Sequence, residues 1–388
     1  MAIYKNNLPN LQLIADEAGV SKTTVSYVLN KKKGISPQTI KLVEDTIKKH
    51  NYYEIYRCRA KKHNNVIGLI VPDIADPYFY KIIEAIKFKI NEYNILLNTD
   101  FEVILCVSNN KHSEEVKFAK LLKKLNITGL IIAPSYHNQN YLINIFGDNF
   151  PIVFFDRTLE IFNETATVIK TSNNYEITKE GINYLIELGH RRIGFVYGFS
   201  NIETASQREK AYEDALKENK IIFDKSLVKE IDTYKRVGSD EHIKECYEEI
   251  KELIETKKVT ALFCAQNFAS LSAIKYIVDK NKKIPDDISI ICFDNNEWIE
   301  AFNISAIRQP IEGIAKLTSQ ALIKKIFPFL SIEEDDTLNL ALSAVFIKRK
   351  SITFIEHPLL INSDDGYVRD EKGNVYGVWD KKRKCVLK

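Results

Sequence analysis

The sequence predicts an α/β protein with a two-lobed body of parallel sheets flanked by helices, preceded by a small all-helical head. Three observations predict this. The chain has 388 residues, enough for two or three domains at roughly 100–200 residues each. After residue 66, short apolar runs alternate with amphipathic stretches, the pattern of a parallel sheet covered by helices. Before residue 66, the chain carries only short helical segments and a concentrated positive charge.

Composition excludes several classes. A hydrophobic fraction of 45% and a charged fraction of 28% are those of a globular chain, not of a disordered or collagen-like one. No apolar run approaches the roughly 18 residues needed to cross a membrane. The N-terminal residues have no apolar leader core, so a cytoplasmic protein is expected. The cysteines at 58, 106, 246, 264, 292 and 385 form no CxxC pair. Neither a disulfide framework nor a zinc site is expected.

The charge is uneven. Residues 1–66 hold twelve basic and five acidic side chains, a balance of +7, whereas the remainder holds 43 and 47, a balance of −4. A basic head on a mildly acidic body points to a polyanionic partner.

The head's local patterning says which partner. Leu11, Ile14, Ala15 and Ala18 recur at helical spacing behind Asn10, a good N-cap. Gly19 suits the left-handed residue that ends a helix. Ser21 caps a second helix over 22–29, whose apolar stripe is Val25, Val28 and Leu29. A third helix opens on Ser36-Pro37 and buries Ile40, Val43 and Ile47, with proline at the position where its missing N–H costs nothing. Two short helices joined by a glycine turn form a helix-turn-helix, whose second helix enters the DNA major groove. Its exposed early residues are Lys22, Thr23, Ser26 and Tyr27. Lys22 can donate to guanine O6 and N7, and Thr23 can meet a thymine methyl group. Ser21, Thr24, Ser26 and Asn30 carry short polar groups suited to phosphate oxygens.

In the body, strands are expected at 67–71, 102–107, 129–133, 152–155, 192–197, 260–264 and 288–293. Helices are expected at 80–92, 114–125, 175–188, 205–218, 241–256, 268–280 and 310–326. That many strands over 67–353 suits two lobes with a ligand cleft between them. Ligands in such sheets bind beyond the carboxyl ends of the strands. Beyond those ends lie Pro72 to Phe79, Asp156-Arg157, Gly198 to Arg208 with Thr204, Gln266-Asn267, and Asp294 to Asn296. Carboxylates, amides, an arginine and aromatic rings converge there, the chemistry of a site for a small polar ligand such as a sugar or nucleobase. Asp76 has a second reading as a helix cap, Asp156-Arg157 as an ion pair and Phe263 as core. Gly189-His190-Arg191-Arg192 reads as a structural helix-to-strand turn. No GxSxG, Walker A or HExxH motif is present and no histidine cluster forms, so neither an enzyme, a cofactor nor a metal is expected.

The stretches LQLIADEAGVSKTTVSYVLN and ISPQTIKLVEDTIKKHNY, followed by IGLIVPDIADPYF, PIVFFDR, YLIELGHRRIGFVYG, ALFCAQN, DDISIICFDNNEW and IRQPIEGIAKL, resemble bacterial repressors of the lactose/galactose-repressor family. The resemblance spans roughly residues 10–353. It implies a helix-turn-helix head, a periplasmic-binding-protein-like body, an operator as DNA partner, and a homodimer or tetramer. It implies base contacts by Lys22, Thr23 and Tyr27, where many members have arginine at the last position. It implies effector contacts by Tyr78, Phe79, Arg208 and Asp294, with Thr204, Phe263 and Asn267 at further contact positions; Asp156 joins them from the strand-end reading. The family's usual asparagine-aspartate pair reads Gln266-Asn267 here. The family also carries a hinge helix that wedges a leucine into the minor groove. Here the connector is about two residues shorter and lacks that leucine. Either Ile55 or Cys58 acts as the wedge, beside Arg57 and Arg59, or the segment is a basic linker contacting phosphates only.

The organisation expected is therefore a helix-turn-helix domain over 1–51, a hinge or linker over 52–66, the two-lobed body over 67–353 and an extension over 354–388. Residues 94–100 are surplus to the family pattern and are expected to lengthen a surface loop. Turn-forming residues at 370–374 between β-prone flanks predict a hairpin in the extension. The expected function is a ligand-responsive, sequence-specific repressor. Its rivals are a DNA-binding regulator with a vestigial cleft governed by a protein partner, and a solute-binding protein of the same body.

Overall fold

The computed structural model describes residues 11–29, 32, 34–50, 65–136, 138–157, 167–171, 173–198, 203–231, 240–328, 330 and 342–355, together with four strands of the C-terminal extension. Asn30, Ile55, Arg57, Cys58 and Arg59 lie outside the described residues, as does most of the connector.

The head is three helices, Leu11–Glu17 (α1), Lys22–Leu29 (α2) and Pro37–Lys49 (α3). Gly19 takes the left-handed conformation at φ +62°, turning the chain from α1 into α2. The Ser21 hydroxyl accepts the Thr24 N–H at 3.1 Å, and Ser36 accepts that of Thr39 at 3.1 Å, so both helices start on the caps their sequences encode. Ile14, Ala15, Val25, Val43 and Ile47 form the small core. Ala15 leaves room for α1 and α2 to cross, and Val25 fills the contact. Glu17 at the end of α1 pairs with Lys49 and His50 at the end of α3, closing the bundle.

The first lobe is an all-parallel sheet in the order β2-β1-β3-β4-β5, formed by Val66–Val71, Glu102–Val107, Gly129–Ile132, Ile152–Phe155 and Thr167–Ile169 as β1 to β5. Helices Pro77–Leu97 (α4), His112–Lys124 (α5) and Asn140–Phe146 (α6) intervene. The second lobe has the order β11-β10-β9-β8-β6-β7. Its strands are Ile193–Tyr197 (β6), Val228–Glu230 (β7), Ala261–Cys264 (β8), Ser289–Phe293 (β9), Ser305–Arg308 (β10) and Val345–Ile347 (β11). They are parallel except for the β10–β11 pair. Its helices are Asn174–Glu187 (α7), Glu203–Glu218 (α8), Asp240–Lys251 (α9), Asn267–Asp279 (α10) and Glu297–Ala301 (α11). The continuous apolar runs of β1, β3, β4, β8 and β9 are buried on both faces, as central parallel strands must be.

Chain crossings join the lobes. The chain passes from β5 to α7, and again from β10 to Ile311–Ile326 (α12), whose Ile314, Ala315, Leu322 and Ile323 pack into the first lobe's core. Beyond α12 it returns to β11 in the second lobe.

The surplus residues before β2 differ from the expected loop. They extend α4 to Leu97, which ends on left-handed Asn98. Asn94 then grips the return, accepting the Phe101 N–H and donating to the Phe101 carbonyl. An asparagine able to satisfy both backbone groups makes a tight turn there, so the extra length is helix.

Gly189 and His190 are structural. Gly189 has φ +93°, and a Cβ there would lie 2.1 Å from the Ile355 carbonyl oxygen. His190 is fully buried, with Nδ1 on Thr260 at 2.9 Å and Nε2 on the Thr353 carbonyl at 3.1 Å. Burial pushes its pKa down to about 4, so it stays neutral near pH 7. Gly189→Ala is expected to cost about 1–3 kcal/mol from backbone strain alone, with the clash added. Thermal denaturation checks this, and an unchanged melting temperature would mean that the 353–355 segment gives way freely.

In the extension, Tyr367–Arg369 (β13) and Val375–Asp380 (β14) pair antiparallel, as the turn residues predict. The sheet is larger than a hairpin. Ile361–Asn362 (β12) and Cys385–Leu387 (β15) extend it to four strands in sequential order.

Candidate functional site

Two surfaces carry the candidate residues. On the head, Val25, Val28 and Leu29 turn α2 inward, leaving Lys22, Thr23 and Tyr27 exposed on the opposite face. Ser26 is half-buried between them. Lys32 holds its ammonium 5.0 Å from the Tyr27 ring centroid, adding positive charge beside the ring. The Ser21 and Thr24 hydroxyls lie 2.9 Å apart. One donates to the other, so a single hydroxyl proton of the pair is left for an external acceptor.

The second surface is a cavity of about 110 Å³ between the lobes. Its walls come from strand ends of both sheets: Asp73, Asp76, Tyr78 and Phe79 beyond β1, Asp156 and Arg157 beyond β4, Gln266 and Phe268 beyond β8, and Asp294 beyond β9. Thr204 and Arg208 enter from α8. Asp156 and Asp294 hold equivalent places in the two lobes, each the first residue after its strand. Both are left-handed, at φ 73° and 70°. Aspartate tolerates that region better than most residues, and the turn aims each carboxylate at the cavity rather than along its sheet.

Most of these side chains are fixed. Arg208 is only 9% exposed. Its Nε donates to Asn174 Oδ1 at 3.0 Å and its Nη1 to the Ala265 carbonyl at 2.6 Å, with the guanidinium 3.4 Å from the Phe293 centroid. Arg157 pairs with Asp156 at 3.3 Å and donates to the Pro134 carbonyl at 3.0 Å. Asp76 accepts the Tyr78 N–H at 3.0 Å, capping α4, and both alternative readings of these acids are therefore real. Asn267 does not line the cavity but braces it. Its Nδ2 donates to Asp76 at 2.6 Å and to Asp294 at 3.2 Å. Gln309 donates to the other Asp294 oxygen at 2.6 Å.

Phe263 departs from its expected role. Its ring is fully buried in the second lobe's core, stacked on Phe195 at 5.6 Å and against Gly181. The residues at its strand's end that do reach the cavity are Ala265 and Gln266. Asn110 and Gln309 also line the cavity and were not expected. Gln309 follows β10, a four-residue strand ending on an arginine that gives no apolar run; Asn110 follows the recognised strand β2.

Burial raises the pKa of Asp73 and of Asp294, the latter against the pull of Arg208. Asp76 is pushed up to about 7, by burial first and then by Asp294. The groups facing Asp76 are Asp73 and Asp294, with Arg208 acting across the cavity. A carboxyl whose folded pKa exceeds its ordinary 3.8 favours the fold at low pH, and that contribution is lost between about pH 4 and 7. Asp76→Asn keeps the cap and removes the titration. The variant's melting temperature is therefore expected to gain on the parent as pH rises through that window. A constant difference would place the Asp76 carboxyl at an ordinary pKa.

Among the described residues, no group of three His, Cys, Asp or Glu side chains is placed to hold a metal ion. No described helix is long and apolar enough to cross a membrane.

Comparison with known proteins bears on both surfaces. Residues 10–54 match the family model described as bacterial regulatory proteins, lacI family, and residues 182–352 match a periplasmic binding protein-like domain. The HTH-type transcriptional repressor PurR of Histophilus somni (strain 2336) is 31% identical over 322 residues, covering 81% of this chain and 91% of that protein. The fold matches that of a lac repressor dimer bound to operator and the anti-inducer ONPF, with TM-score 0.59, 21% identity and coverage of 88% and 98%. It also matches a LacI family regulator from Enterococcus faecium with bound ribose, with TM-score 0.61, 22% identity and coverage of 75% and 100%. A head with the caps, turn and outward face of a helix-turn-helix, a two-lobed body and a repressor this similar over four-fifths of this chain together make it a DNA-binding transcriptional regulator of the lacI family.

Proposed function

We propose that the protein is a cytoplasmic, homodimeric repressor whose operator affinity is set by a small polar ligand of the sugar or nucleobase class bound between its lobes. In this reading Lys22, Thr23 and Tyr27 read bases in the major groove, while Ser21, Thr24, Ser26 and Asn30 hold phosphates. A two-fold dimer presents one head to each half of a near-palindromic operator. Tyr78, Phe79, Asp156, Thr204, Arg208 and Asp294 contact the ligand, with Asn267 bracing two of the acids. The division into head, connector, body and extension follows the boundaries given above, and the protein carries out no reaction of its own.

One observation carries the reading: the cavity is walled by strand ends of both lobes. A ligand that touches both walls binds one relative arrangement of the lobes better than another, and only such differential binding can shift an equilibrium. The coupling to DNA is reciprocal, so operator must change ligand affinity by the same factor. The relatives support this reading: PurR is named a transcriptional repressor, and the Enterococcus faecium regulator is described with bound ribose.

The experiment is a titration of preformed protein–operator complex with sugars, sugar phosphates and nucleobases, read by fluorescence anisotropy. A saturable change in operator affinity for one chemical series is expected. Binding of operator that no member alters, together with no thermal stabilisation by any member, would contradict ligand control.

A further inference from the structure

Two carboxylates from opposite lobes, Asp294 buried and Asp76 half-buried, share one amide. Asp76, at the start of α4, and Asp294, beyond β9, both accept from Nδ2 of Asn267, at 2.6 and 3.2 Å. The cap on α4 does not explain the charge at 76, because asparagine caps a helix as well as aspartate does. Nor do the nearby cations balance it. Arg157 is taken by Asp156 at 3.3 Å. Arg208 is held by Asn174, the Ala265 carbonyl and the Phe293 ring. Lys81 is held by Glu297 at 2.8 Å. Asp73 lines the same space, so four carboxylates meet two arginines there. The cavity also holds the Tyr78 hydroxyl, a buried group at 5% residue exposure that sits against Asp156 without a hydrogen bond of normal geometry. The site is thus built around buried Arg208, Tyr78 and Asp294 and is short of positive charge.

We propose that the cleft selects a ligand bearing a protonated nitrogen, an amino sugar or amino polyol, and that Asp76 sets this preference by accepting from that nitrogen together with Asp294. The proposal rests on the cleft being the effector site. An ammonium placed between the two acids relieves their repulsion and gains charge-assisted hydrogen bonds, roughly twice as strong as neutral ones. A neutral hydroxyl leaves the acids opposed, and an anionic ligand adds to the repulsion. The sugar ring would lie against Tyr78, Phe79 and Phe268, whose faces also favour a cation.

The test uses the full chain and matched compounds in calorimetry at pH 7.5: glucosamine, galactosamine and N-methylglucamine against glucose, galactose and sorbitol, with the hexose 6-phosphates as anionic members. At least one amino member is expected to bind ten-fold or more tighter than its neutral partner, and Asp76→Asn is expected to bring that ratio close to one. A neutral or phosphorylated member binding as tightly would overturn the proposal and leave the cleft as an effector site. A preference for the amino member that survives in Asp76→Asn would remove Asp76 from its role. Binding by none of these compounds would overturn the amino-ligand class, while the operator-release titration separately decides whether the cleft takes an effector at all.

Discussion

Arg208→Ala is expected to abolish the effector response while operator binding is retained. The guanidinium is buried and engaged on three sides, by Asn174, the Ala265 carbonyl and the Phe293 ring. It is also the stronger of two cations, with Lys81, that draw the Asp294 pKa downward against burial. Truncation leaves Asn174 Oδ1 and the Ala265 carbonyl oxygen buried without this donor, and Asp294 without its nearest countercharge. Losing one partner of a buried charged network costs about 3–5 kcal/mol, which is a ligand-affinity loss of 100-fold or more if the ligand shares that network. Arg208→Lys keeps the charge but loses the planar fork, and is expected to recover only part of the affinity. Calorimetry with the effector found in the release titration measures both. Unchanged affinity in Arg208→Ala would take Arg208 out of the ligand site and leave it a brace between α8 and β8.

Lys22→Ala is expected to flatten base preference at one position of each half-site. Lys22 is the first residue of α2, exposed and uninvolved in the head's core. In the proposed reading its ammonium meets guanine from that place in the groove-bound helix, and a specific contact of this kind discriminates by about 1–3 kcal/mol. The loss should therefore be about 10- to 100-fold against the preferred base and much smaller against the others. Binding to a set of single-base operator variants measures it. Uniform weakening across the set, with one less unit of salt dependence, would identify Lys22 as a phosphate contact.

The head was legible in the sequence because everything that forms it is local. Caps at Ser21 and Ser36, the turn at Gly19 and the apolar spacing of α1 to α3 all act within a few residues. The central strands were legible because strands buried on both faces must be continuous apolar runs, as Ile67–Val71 and Ile290–Phe293 are. Strands β5, β7 and β10 escaped because TVI, VKE and SAIR are three or four residues long and carry no such run. Gln309 escaped with β10. Phe263 shows the converse limit: an aromatic residue near a strand end reads equally as wall or as core, and only the alternation of side chains along β8 sends it inward. The bond between Asp76 and Asn267 joins residues 191 apart in sequence, and no local pattern encodes it. The asparagine at 267 was visible as a lost carboxylate, but not that an acid of the other lobe would be bonded to it.

Two of the departures from the family pattern, tyrosine at 27 and the short connector, fall in the DNA-facing part of the chain. Tyr27 is 39% exposed and lies beside the Lys32 ammonium, so it can stack or donate one hydrogen bond, but it cannot make arginine's paired contact to guanine. In the proposed reading, a single tyrosine donor weakens discrimination at that position and leaves the contacts assigned to Lys22 and Thr23 in place.

The most direct measurement is selection of bound duplexes from a random pool by the purified full-length protein, repeated from low to physiological salt. Enrichment of one near-palindromic sequence is expected, with half-sites related by the dimer's two-fold axis and strongest preference at the base pairs facing Lys22 and Thr23. Binding that fades with salt and enriches no motif, with or without the effector present, would contradict it and make the head a non-specific polyanion contact.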